Sequence, residues 1–269
     1  MINCEAEYAR PTPAANNLAM EVYDACFRNV PKDINVPLMR IGDQFTNGTT
    51  LTTLNSDSQI VQLYMKARDS MGKVILSGGG GSGFFVDADG RFATDYHVIK
   101  NNPNAISVRT GDGKLRPARL IDLEPGQDTA ILQVQKLHPN ERFKPLELST
   151  LGNPKKDEYM MACGFARYDD LHCSPGRFNS FTRQKDIKLD PPAPYMHPDR
   201  KLGKLIQHTE QGDSGGPIFS FSDGKVRMLV DMTQGFTHTV GTPSERMTEL
   251  MTRKIPIPKP NPLRARQGS

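Results

Sequence analysis

The sequence predicts an all-β fold, and three observations carry that expectation. Glycine and proline are abundant, 23 and 21 of 269 residues, a turn-rich composition that suits many short strands better than long helices. Short apolar runs recur between turn formers, as in Gly83-Phe84-Phe85-Val86 and the run from Arg91 to Ile99, separated by the turn Asp89-Gly90. The length is enough for two small barrels with extensions and for a substantial buried core.

Residues 1–57 read as an extension ahead of the barrels. Leu18, Val22, Cys26 and Phe27 repeat at helical spacing, which predicts a short amphipathic helix over 17–30 that stops at Pro31. Residues 37–55 are polar and Thr-rich and read as a wrapping loop; Asn47-Gly48-Thr49 matches a glycosylation acceptor. From Gln59 the pattern fits either period. Ile60, Leu63, Tyr64 and Ala67 suit a helix, and Val61, Leu63 and Met65 suit a strand. The strand is preferred, because Asp69-Ser70-Met71-Gly72 reads as a hairpin turn into the apolar run 73–76.

The first barrel is placed at 58–145. Its glycine stretch 77–83 reads as a flexible lead-in, followed by the strand pair around Asp89-Gly90 and strands at 105–109, 116–121 and 129–135. The second barrel, 146–242, is expected to use strands at 158–164, 176–181, 203–208, 217–221 and 226–232. Between them, 183–202 contains Asp190-Pro191-Pro192-Ala193-Pro194 and reads as an exposed insertion. The remainder, 243–269, is predicted to open with a helix capped by Thr242, with Pro243 in its first turn and Met247 and Leu250 facing inward. The tail 255–262 alternates proline and favours polyproline II.

Charge excludes little but directs expectation. The 34 Lys and Arg against 30 Asp and Glu give no reason to expect nucleic acid or anionic lipid as a partner. No run of about 18 apolar residues is present, so no membrane span is expected. Met1-Ile2-Asn3-Cys4 lacks the apolar core of a signal peptide. That fits a mature secreted domain or a protein that stays in the cytosol. The four cysteines fall into two local pairs and are read as Cys4–Cys26 and Cys163–Cys173 bridges, with free thiols as the alternative. A secreted or periplasmic location follows from the bridged reading. No closely spaced Cys pair suggests zinc, and no cofactor or metal is expected.

The chemistry concentrates in Gln211-Gly212-Asp213-Ser214-Gly215-Gly216-Pro217. A serine between glycines on a tight turn projects its side chain freely, while neighbouring backbone N–H groups converge beside it. Such a serine needs an imidazole base and a carboxylate to orient that base. His97 ends an apolar strand and is followed by Val98-Ile99; Asp128 precedes the apolar run Thr129-Ala130-Ile131-Leu132. Asp95, two residues before His97, is the nearest rival acid, since alternate residues of a strand share a face.

These segments resemble the chymotrypsin-like serine proteases, in the same chain order of His, Asp and Ser. Within that superfamily Gly-Ser-Gly-Phe-Phe-Val-Asp and Asp128-Thr129-Ala130-Ile131-Leu132 are most similar to HtrA/Deg-type bacterial enzymes. The similarity covers roughly 59–240. It implies two six-stranded antiparallel β-barrels and a serine endopeptidase acting on proteins or peptides. His97, Asp128 and Ser214 would form its triad, and the N–H groups of Gly212 and Ser214 its oxyanion hole. His208 and Thr209 would lie at the base of the substrate pocket, with Met232, Thr233 and Gln234 on its far wall. His208 supplies no carboxylate for a basic side chain, so an acidic or small apolar residue is expected there, unless Asp231 points inward. The resemblance departs at Asp213, where HtrA-type enzymes usually carry Asn, and no sequence remains for their PDZ domain. No Ile/Val-Val-Gly-Gly segment is present to supply an amino terminus for Asp213. The rival reading from another class is a catalytically silent member that binds peptides.

Overall fold

The computed structural model describes residues 56–166, 171–187, 193–234 and 238–253. They form two closed antiparallel barrels of six strands each. The first comprises β1 (Met71–Leu76), β2 (Gly79–Phe85), β3 (Arg91–Asp95), β4 (Ile106–Thr110), β5 (Leu115–Glu124) and β6 (Thr129–Val134), closed in the order β1-β2-β3-β6-β5-β4. The second comprises β7 (Tyr159–Gly164), β8 (His172–Arg183), β9 (Lys201–Ile206), β10 (Pro217–Ser220), β11 (Val226–Gln234) and β12 (His238–Pro243), closed as β10-β11-β12-β9-β8-β7. Closure leaves no sheet edge to pair with another chain.

Each barrel fills its own interior. Val74, Phe85, Phe92, Val108, Leu132 and Val134 pack inside the first; Met160, Phe178, Leu205, Ile218 and Met228 pack inside the second. A third cluster joins the two. Phe84, Ala93 and Ile131 meet Met161, Phe165, Phe219 and Leu229, and two helices seal this seam.

One of those helices corrects the sequence expectation. Residues 56–70 form α1 (Ser56–Ser70), not a strand. Ile60, Leu63, Tyr64 and Ala67 are all buried, whereas Met65 of the competing alternate pattern is 38 % exposed. The period of 3.6 therefore wins because the segment has a single buried stripe facing the seam. No hairpin turn follows; α1 ends at Ser70 and β1 starts directly at Met71.

Three further corrections concern boundaries. The lead-in glycines 79–83 are strand, paired with β1 from Met71↔Phe84 to Leu76↔Gly79. A side chain at Gly81 would strike Val98 and the Ser214 carbonyl, so this glycine serves a close approach. The strand β3 stops at Asp95, and His97 stands in a one-turn helix, α2 (Tyr96–Ile99). The C-terminal helix, α3 (Glu245–Thr252), is preceded by Ser244 at its N-cap position, while Thr242 and Pro243 complete β12. Thr242 is unavailable as a cap because its hydroxyl donates to Asp231 Oδ2 at 2.6 Å. Met247 and Leu250 are buried as expected. β12 itself escaped the sequence reading.

Cys163 and Cys173 face each other across β7 and β8 and are bridged. Opening this link by Cys163→Ala/Cys173→Ala is expected to lower the unfolding free energy by about 2–3 kcal/mol, the chain-entropy value for a loop this short. Urea denaturation of the double variant measures it, and an unchanged midpoint would show the bridge to be inert. Cys4, Cys26, the 17–30 helix, the 37–55 loop and the 255–262 tail lie outside the described residues.

Candidate active site

β3 delivers the imidazole. After Asp95 the chain turns into α2, anchored by the Tyr96 N–H donating to the Asp128 carbonyl at 3.1 Å. Val98 and Ile99 are buried on one side of that turn, leaving the His97 side chain 28 % exposed on the other. Asp128 follows a 3-10 turn at Pro125–Gln127 and adopts a left-handed φ of 56°. Aspartate tolerates that region better than most residues. Its carboxylate is wholly buried and grips His97 twice: Oδ1 accepts the backbone N–H at 2.8 Å, and Oδ2 meets Nδ1 at 2.7 Å. With Nδ1 donating to the carboxylate, Nε2 is the ring atom left to accept a proton.

The rival acid lies beside this pair. Asp95 Oδ2 is 3.9 Å from His97 Nδ1, and both Asp95 oxygens are buried without a hydrogen-bond partner among the described residues. Burial, reinforced by the charge of Asp128, pushes Asp95 well above the usual carboxylate range and favours its protonated form. Burial alone would lower the His97 pKa. The Asp128 carboxylate outweighs it, by charge and by hydrogen bond, and holds His97 up to about 9. Asp95, His97 and Asp128 are also the one group among the described residues with donor atoms close enough, within 4.8 Å, for a metal ion. With its proton donated to Asp128, His97 Nδ1 has no lone pair to offer an ion held between the three groups.

Ser214 arrives from the second barrel on a turn packed against the first. Ser82 on β2 fastens it: the Ser82 N–H donates to the Ser214 carbonyl at 2.8 Å, and its hydroxyl donates to the Gly212 carbonyl at 2.7 Å. The same hydroxyl accepts the Phe165 N–H at 2.8 Å. Gly215, at φ 85°, approaches so closely that a side chain there would meet the Ser82 carbonyl and the Asp95 N–H, two residues from His97. The half-buried Ser214 hydroxyl donates to the Asp231 carbonyl at 3.2 Å. Among the described residues it makes no hydrogen bond to His97. Neither the Gly212 nor the Ser214 N–H finds a backbone acceptor among them. A cavity of about 410 Å³ opens beside the turn, lined by Gly80, Gly81, Phe165, Ala166 and Gly212 among others.

Asp213, the departure noted in the sequence, has its own partners. Its buried Oδ2 accepts the Glu210 N–H at 2.8 Å and lies 3.1 Å from His172 Nε2. The turn is thus braced from within the chain. Of the expected pocket residues, Thr233 is exposed, His208, Met232 and Gln234 are half-buried, and Thr209 is buried. Thr209 is buried in a hydroxyl ladder with Thr233 and Thr239, at 2.9 and 2.8 Å. His208 faces Glu210 at 3.2 Å, Met232 packs against the cluster of Ile187, Leu202 and Val240, and Gln234 pairs with His238 across β11 and β12. Asp231 does not point into a pocket; its carboxylate is buried in a fork made by Arg200.

The sequence reading missed Ser82, Arg200 and the role of Asp231. Only Ser82 left a signal, as the one hydroxyl inside a glycine run.

Paired closed barrels with an imidazole–carboxylate couple and a serine turn at their seam define the class of chymotrypsin-like double barrels. A family model described as "Trypsin-like peptidase domain" matches residues 81–227, more than half of the chain, and the protein belongs to that family. Among named relatives, the "Probable periplasmic serine endoprotease DegP-like" of Marinomonas sp. (strain MWYL1) is 26% identical over 154 residues, covering 54% of this chain and 28% of that protein. The "Serine protease Rv3671c" of Mycobacterium tuberculosis (strain ATCC 25618 / H37Rv) is 27% identical over 179 residues, 63% of this chain and 42% of that one. The chain therefore spans less than half the length of these relatives. The crystal structure of Rv3671c protease in its active form superposes with a TM-score of 0.60 at 23% identity, covering 70% of this chain and 82% of that one.

Proposed function

We propose that the protein is a serine endopeptidase using His97, Asp128 and Ser214. The observation that carries this reading is the 2.7 Å contact between His97 Nδ1 and Asp128 at the seam on which the Ser214 turn is packed. In this reading the Ser214 hydroxyl leaves the Asp231 carbonyl for the imidazole when substrate binds. In unliganded enzymes such hydrogen bonds often form only with substrate.

In the reaction Ser214 Oγ attacks the scissile carbonyl while its proton passes to His97 Nε2, and the imidazolium is stabilised by Asp128. The carbonyl oxygen becomes an oxyanion, for which the Gly212 and Ser214 N–H groups are available donors. Collapse breaks the C–N bond, His97 returns the proton to the departing amine, and water repeats the sequence to release the acid. The substrate is a protein or peptide. With its carboxylate held by Arg200, Asp231 offers no charge to a basic side chain, which supports a preference other than trypsin's. The Cys163–Cys173 bridge supports an oxidising compartment, periplasmic or extracellular.

A serine-reactive fluorophosphonate tests this reading. Labelling of the wild type is expected to rise with pH through a midpoint near 9, because the imidazole accepts a proton only once it has lost its own. His97→Ala is expected to abolish it. A wild type that takes no label at any pH supports the silent, peptide-binding alternative instead.

A further inference from the structure

Among the described residues, the side chain with the most hydrogen-bond and ion-pair partner atoms belongs to neither barrel. Arg200 lies in the connection between β8 and β9, and its side chain is wholly buried. A guanidinium has five N–H donors, and here each has a partner. Nε donates to Gln184 Oε1 at 2.9 Å. Nη1 donates to the Gln127 carbonyl at 3.0 Å and lies 2.8 Å from Asp231 Oδ2. Nη2 donates to Asp231 Oδ1 at 3.1 Å and meets Met196 Sδ at 3.2 Å.

Two of these partners sit next to the proposed chemistry, one on each barrel. Gln127 immediately precedes Asp128, whose left-handed backbone persists only if its surroundings hold it there. Asp231 is the extra residue of a bulge in β11, between Val230↔Gly241 and Met232↔Val240. A bulge of this kind re-aims a side chain. The bulge presents the carboxylate of Asp231 to Arg200 while its carbonyl accepts the Ser214 hydroxyl. One planar group therefore links the acid's turn to the strand on which the nucleophile rests. The residues around Arg200 reinforce the grip. His197 N–H donates to the Gly126 carbonyl at 2.9 Å, and the Tyr195 ring packs edge-on against Tyr96, 5.4 Å between centroids, beside His97.

We propose that Arg200 is a positioning residue. It sets the separation between the His97–Asp128 pair and Ser214, so that the 193–200 segment governs turnover and not only the rim of the cleft. This rests on the protease reading above. The cost of burying a guanidinium is tolerated because the fork and the main-chain bond are geometric constraints that a more flexible cation does not reproduce.

Arg200→Lys keeps the charge but cannot reach Asp231, Gln127 and Gln184 together. In the full chain, kcat per fluorophosphonate-titrated site is expected to fall about 10- to 100-fold, the scale of a small misplacement of reacting groups. KM for a fluorogenic peptide taken from the wild type's own cleavage profile is expected to change less than about twofold, because the peptide-binding walls are untouched. If this variant does not fold, Asp231→Asn retains shape and one acceptor and is expected to show the same kcat-only loss, smaller in size. Wild-type kcat per titrated site, with only a lower melting temperature, would overturn the proposal in either variant. A wild type that takes no label removes the protease reading instead.

Discussion

Replacing Ser214 by Ala is expected to lower kcat by about five to six orders of magnitude, the scale seen when a nucleophile of this kind is removed. The fold should persist. The hydroxyl makes a single bond to the Asp231 carbonyl, and the turn is held through its backbone by Ser82 and by the Gly215 N–H donating to the Val230 carbonyl at 2.8 Å. Circular dichroism and melting of the variant should therefore match the wild type, and peptide binding should be retained. Both matter to the interpretation, because they separate lost chemistry from lost structure. Cleavage of a peptide at a rate within tenfold of wild type would take Ser214 out of the mechanism.

The second large effect is expected at Asp128. Asp128→Asn preserves volume but replaces one acceptor oxygen by an NH2 group, which cannot accept both the His97 N–H and the Nδ1 proton. The ring then adopts the opposite tautomer, with the proton on Nε2 and no lone pair there for the serine. A loss of about 10⁴ in kcat is expected on that account. The carboxylate is also what lifts His97, so the pH midpoint of the remaining activity should fall below about 9. Asp95 is the nearest other acid, but with its carboxyl buried and favouring the proton it is a poor replacement. A variant within tenfold of wild type, or a midpoint that stays where it was, would transfer the orienting role away from Asp128.

The serine turn, the histidine and its acid were legible because each sits in a local run whose composition reports its geometry. Glycines flank Ser214, Val98 and Ile99 follow His97, and an apolar strand follows Asp128. Local signals also placed most of the strands. The helix at 56–70 was ambiguous because apolar residues satisfied two periods, and only the seam between the barrels decides which set is buried. Thr242 looked like a cap because its tertiary partner, Asp231, is close in space through strand pairing and not in the local sequence. Arg200 was invisible for the same reason. A lone arginine in a proline-rich insertion reads as a solvated charge, and its four partner residues come from β11, the Pro125–Gln127 turn and its own connection. The hydroxyl contacts of Thr209 were not legible either, because Thr233 and Thr239 reach it through strand pairing and not through the local sequence.

Ser82 carries a consequence for how such a molecule can be controlled. A single small residue rivets the two halves together through its amide and both functions of its hydroxyl, directly under the reactive turn. Prising the halves apart like jaws would break the platform that carries the nucleophile. Any on–off signal must therefore work at the margins, by shifting the segments that border the crevice while its walls stay locked.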